Sequence, residues 1–199
     1  MPRSPLHFVV PLAVMIAACA LAPSALPAAP VPKHLLLKDD LFCYAMCVGD
    51  RYEFVQEDML LNYVVTEAAE TKEGLRVRLE QEAREARRIH AETVILSARG
   101  VKVVEYNGTK LDPPFWWVKL PHEEENSWAD AFGEQTWTGK TVGWEEVKVP
   151  AGTFRAIHVQ HIEPKPRGIT SYWFAPGIGC IKWESALYKR EMTVFKPRK

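Results

Sequence analysis

The feature that most restricts the fold of this chain is a run of short alternations between apolar and polar residues. It extends from Arg51 to Lys196 and is broken repeatedly by turn residues. In "GLRVRL", and at Val147 and Val149 of "WEEVKV", apolar side chains recur at every second position, the period of a half-buried strand and not of a helix. Further segments of this kind include "RYEFVQ", "LLNYVVTE", "ETVILSAR", "FWWVKLP", "EQTWTGK", "TFRAIHVQHI", "TSYWFAP", "CIKWESAL" and "KREMTVFK". Seven Trp, eight Phe and six Tyr add to the strand character.

The breaks carry their own chemistry. Asn107-Gly108 is the pair favoured by a two-residue hairpin turn in which both residues take positive φ. In "VPAGTF", Pro150 and Gly152 fit a type I turn with a following bulge, joining Glu145–Val149 to Phe154–Val159. Pro176-Gly177 fits the centre of a type II turn, with Gly179 placed for a bulge before the next strand. The polar stretch Arg78–Thr93 has the Glu, Ala and Arg content of a helix but too few apolar positions to bury one. It reads as strands flanking a polar turn near Ala83–Ala86, with a short surface helix as the alternative. The whole predicts one antiparallel β domain over residues 36–199, of about ten strands. Such a sheet curls into a half-barrel, a barrel or a sandwich.

Residues 1–32 have a different composition. Arg3 precedes an apolar run from Phe8 to about Ala22, and an Ala/Pro-rich stretch follows. This is the layout of a secretory signal peptide, and the run is short for a membrane span, which needs about 20 residues. The expected location is therefore outside the cytoplasm, in the periplasm or cell envelope. "IAAC" resembles a bacterial lipobox, which would make Cys19 the lipid-bearing residue and "ALAPSALPAAPVPK" an extended tether. Ordinary cleavage among Ala25–Ala29 is the alternative. The only membrane contact expected is through that anchor.

Lys and Arg number 25 and so do Asp and Glu, which leaves no electrostatic case for nucleic acid as a partner. Cys43, Cys47 and Cys180 follow the signal, and an oxidising compartment allows a disulfide among them, with the pairing open. Three buried free thiols are the alternative reading.

"KLDPPFWWVKLP", "SWADAF", "VKVPAGTF" and "SYWFAPGIG" occur in that order. The combination resembles an uncharacterised family of bacterial exported β-proteins of the type called domain of unknown function 3108. The likeness covers roughly Gly100–Glu184. It implies an architecture like the curved sheets of lipoprotein carriers, which hold acyl chains in a hydrophobic hollow, and it supplies no catalytic residues.

No site motif competes with this. His158 and His161 would point to opposite faces of a strand, so they do not make a metal pair. "HAE" at His90–Glu92 lacks the cysteine pair of a zinc deaminase. The acidic loop 122–126, "HEEEN", is the only candidate for hydrolytic acid–base work. No catalytic residue, metal or cofactor is expected. The aromatic residues are the candidates for an apolar lining: Trp117, Trp137, Trp144, Trp173 and Trp183. The functional expectation is a non-enzymatic envelope protein that binds an apolar ligand or an envelope protein on its curved sheet. A purely structural or assembly scaffold is the alternative.

Overall fold

The computed structural model describes residues 47–83, 87–121, 123–132, 135–163 and 168–198. The signal-like segment, Cys19, the tether and Cys43 lie outside the described residues. Within them the chain forms twelve β-strands and no helix. The first six are β1 (Arg51–Gln56), β2 (Met59–Thr71), β3 (Gly74–Glu82), β4 (Arg88–Ser97), β5 (Gly100–Tyr106) and β6 (Thr109–Lys119). The second six are β7 (Ser127–Phe132), β8 (Gln135–Val149), β9 (Gly152–Glu163), β10 (Gly168–Ala175), β11 (Gly179–Glu184) and β12 (Lys189–Lys196).

Every strand pairs antiparallel with its sequence neighbour except across one break. The order in the sheet is β6-β5-β4-β3-β2-β1-β12-β11-β10-β9-β8-β7. The two terminal strands therefore pair in the middle of the sheet, from Arg51 opposite Lys196 to Gln56 opposite Arg190. The two edges, β6 and β7, are consecutive strands from the middle of the chain. The sheet curls until these edges approach, giving a barrel that is nearly closed.

The turns follow their residues. Asn107 and Gly108 take φ 48 and 78 and bring Tyr106 opposite Thr109. The N–H of Ile178 donates to the Ala175 carbonyl at 3.1 Å across Pro176-Gly177, and Gly177 takes φ 70, as a type II turn requires. The polar stretch forms β3 and β4, with Glu82 opposite Arg88 and no helix between the described residues. Two features differ from the expected segments. "EQTWTGK" and "WEEVKVP" join into the single 15-residue strand β8. Gly143, at φ 144, sits in a register shift after Thr141 that bends the strand without ending it. "SWADAF" forms β7, zipped against β8 from Ser127–Lys140 to Phe132–Gln135.

The seam between β6 and β7 is held by side chains where a closed barrel would have a backbone ladder. The Asp130 carboxylate accepts the Trp116 N–H at 2.9 Å. His161, 3% exposed, donates from Nε2 to the Trp117 carbonyl at 3.0 Å. Both capture backbone groups of β6 that an edge strand would otherwise leave unpaired. The His161 ring packs among Phe115, Trp117, Trp128, Trp137 and Tyr172, with its centroid 5.0–6.5 Å from each of theirs. Gly139 faces Trp128 so closely that an added Cβ would sit 2.2 Å from its ring.

Burial in this cluster lowers the His161 pKa from 6.5 to about 4, so the neutral ring is the folded form. The folded state then binds fewer protons than the unfolded state between those values. The stability this contributes is present above pH 6.5 and is lost as the pH falls toward 4, a change of about 3 kcal/mol. Urea midpoints measured from pH 7 to pH 4.5 should fall accordingly. In His161→Gln, less stable at pH 7, more than half of that slope should vanish, the remainder belonging to His90 and His158, whose pKa values burial also lowers.

Candidate functional site

The inner face of the sheet encloses a cavity of about 340 Å³, within the range of small-molecule sites. Alternation places Tyr52 and Phe54 of β1, Tyr63 of β2, and Tyr172 and Phe174 of β10 on this face, with Trp117 and Trp183 completing the aromatic wall. The rings form a continuous chain. Tyr172 lies 4.9 Å from Trp117, 5.7 Å from Trp183 and 6.2 Å from Phe174, centroid to centroid.

The cavity has a closed end and a mouth. The β10–β11 turn carries Ile178, 1% exposed, into one end, where the Tyr52 hydroxyl donates to the Ile178 carbonyl at 2.9 Å. In an antiparallel meander alternate connections lie at opposite ends. The β5–β6 and β11–β12 turns, with the exposed Asn107 and with Tyr188, therefore stand at the other end and rim the cavity. The same end carries Met59, Leu60, Ile89, Ile162, Ile169 and Leu187, large apolar side chains exposed by 38–83%. Among the described residues only Val48 of the exposed large apolar side chains lies at the opposite end.

Polar groups enter the wall at defined points. On β12, Arg190 stands opposite Trp183 and Gln56, two residues into its strand and hence near the mouth. Its guanidinium donates to Gln56 Oε1 from Nε at 3.1 Å and from Nη2 at 2.9 Å, and to the Tyr63 hydroxyl from Nη1 at 3.1 Å. It lies 4.6 Å from the Trp183 ring centre. On β4, the Glu92 carboxylate accepts the Trp117 indole N–H at 2.8 Å. Burial holds the Tyr106 phenol neutral, with its pKa pushed up to about 12.

Of the five tryptophans expected to line a hollow, Trp117 and Trp183 do so. Trp137 lies by the seam, 6.4 Å from Phe115. Trp144 carries the Arg155 guanidinium over its ring at 4.9 Å and is not part of the cavity wall. Trp173 points away from the cavity, opposite to Tyr172 and Phe174. It stacks on His158 at 4.5 Å, carries the Lys182 ammonium at 4.2 Å, and donates its indole N–H to Glu145. His158 and His161 occupy opposite faces. His90 serves a turn, accepting the Gly108 N–H on Nδ1 at 2.8 Å. In the acidic loop, Glu123–Glu125 are exposed and Glu125 pairs with Lys140 at 2.7 Å, while His122 lies outside the described residues. Among the described residues no group of three His, Cys, Asp or Glu is placed to hold a metal.

The tyrosines and Arg190 were not singled out in the sequence. Their signal was there, in the shared parity of Tyr52 with Phe54, Tyr172 with Phe174 and Arg190 with Met192. Inward and outward parity become distinguishable only once the sheet's partners are fixed.

No protein-family model matches the chain, and no curated protein matches it in sequence. Among solved structures, a "putative lipoprotein" from Parabacteroides distasonis is 11% identical, with a TM-score of 0.48 over 80% of this chain and 100% of that one. A "putative exported protein" with a YmcC-like fold from Bacteroides fragilis is 12% identical, with a TM-score of 0.47 over 77% of this chain and 98% of that one.

Cys47 and Cys180 are free thiols, and Cys180 lines the cavity. Burial pushes the Cys180 pKa up to about 12 from 9.0, which lowers its thiolate fraction about a thousandfold. In a Cys43→Ser, Cys47→Ser background, iodoacetamide at pH 8 should leave Cys180 unmodified in the folded protein and alkylate it in urea, as read by intact mass.

Proposed function

We propose that this is an exported cell-envelope protein without enzymatic activity that binds a small apolar or amphiphilic ligand inside its barrel. The observation that carries the reading is the aromatic cavity of about 340 Å³, sealed at one end by Ile178 and open at the other. Fully burying aromatic side chains contributes about 1.5–3 kcal/mol each, yet here several present their faces to a space the described residues leave unfilled. An apolar molecule would recover contacts that the cavity forgoes. The exposed apolar rim supports entry from an apolar phase or from a partner carrying such a ligand. Export rests on the N-terminal segment, with Cys19 as the candidate attachment point for lipid. Mass spectrometry of the mature N-terminus decides between the two processing routes: a diacylated Cys19 identifies a lipoprotein, and a chain starting after Ala25 removes the anchor.

Native mass spectrometry of protein purified from its own host should show a retained small molecule. Ala91 lines the cavity, and Ala91→Phe should fill it and release the adduct while leaving the thermal midpoint within about 3 °C. A persistently bare mass under gentle desolvation would favour the scaffold reading instead.

A further inference from the structure

The cavity is polarised along its length. Its closed end is built from Ile178, Phe174 and Phe54, and its mouth carries Arg190 and Gln56. A guanidinium has five N–H donors, and Arg190 uses three of them on Gln56 and Tyr63, which leaves one on each terminal nitrogen. Tyr172 is 5% exposed and stands on the same wall. Its hydroxyl has no hydrogen-bond partner among the described residues. Cross-strand register aligns these groups: Tyr172 is opposite Trp183, and Trp183 is opposite Arg190. Two donors without acceptors thus flank one indole on adjacent strands. The acidic group of the cavity, Glu92 on β4, takes the Trp117 indole N–H.

We infer that the cavity takes a single-chain amphiphile tail first and holds its oxyanion head at Arg190, with the Tyr172 hydroxyl as second donor. This rests on the ligand-binding reading above and adds the class of headgroup and its orientation. A carboxylate suits the site because the guanidinium's spare N–H groups lie on neighbouring nitrogens and match two carboxylate oxygens. An uncharged head forgoes the charge-assisted bond, and a cationic head faces the guanidinium directly.

The test compares dodecanoate, dodecanol and dodecylammonium, each below its micelle concentration, by isothermal titration calorimetry at pH 7.5. The expected order is dodecanoate tightest by about tenfold or more over dodecanol, with dodecylammonium weakest. In Arg190→Gln, with folding checked by circular dichroism, dodecanol should bind as before and the carboxylate preference should shrink to within about twofold. Tyr172→Phe should weaken dodecanoate about threefold and leave dodecanol unchanged. It decides the matter on its own if Arg190→Gln does not fold. A preference that survives both substitutions, or equal binding of all three amphiphiles, would overturn the headgroup assignment and leave the cavity reading standing. Failure of all three to bind the wild type would overturn both.

Discussion

The structure depends on one pairing, that of β1 with β12. Without it the chain would be two six-stranded meanders, β1–β6 and β7–β12, each with an unpaired edge at both sides. With it they become one sheet, and the cavity wall takes Tyr52, Phe54 and Tyr63 from one meander and Tyr172, Phe174 and Arg190 from the other. Asp50 guards the joint. It is 1% exposed and accepts the N–H of Arg198 at 2.8 Å and of Cys47 at 3.3 Å, drawing together the segments that lead into β1 and out of β12.

The second joint is of another kind. A backbone ladder resists water at every residue, whereas the β6–β7 seam relies on two side-chain bonds and the ring cluster about His161. Trp117 belongs to both the seam and the cavity. Its carbonyl accepts from His161, its indole N–H reaches Glu92, and its ring walls the cavity beside Tyr172. A change at the seam therefore moves the wall, and whatever fills the cavity presses on the seam.

The strands and turns were legible because they rest on local chemistry: period-2 alternation, Asn107-Gly108, and Pro176-Gly177. So were the opposed faces of His158 and His161. In "SYWF" alternation sets Trp173 against Tyr172 and Phe174, and the structure makes these a face capped by His158, Lys182 and Glu145 and a cavity face. Alternation alone does not say which face turns inward. The tryptophans were candidates by residue type, with no face assigned, and Trp137, Trp144 and Trp173 lie off the cavity wall. The joining of the two meanders, and with it the shared cavity wall, comes from contacts between strands more than a hundred residues apart. Nothing in the local pattern of β1 announces β12 as its partner.

The placement of that joint also sets how the molecule bears a load. Arg51 lies opposite Lys196, so the chain segments leading into β1 and out of β12 leave the sheet side by side at the same end. Tension applied through them loads the ladder one rung at a time, from the Asp50 clamp toward Gln56, and does not shear all rungs together. The barrel is thus a zipper along β1–β12 and would open there, on the side away from its side-chain seam. A tether fixed to a surface at one end would pull on the strand that holds the two halves of the cavity together.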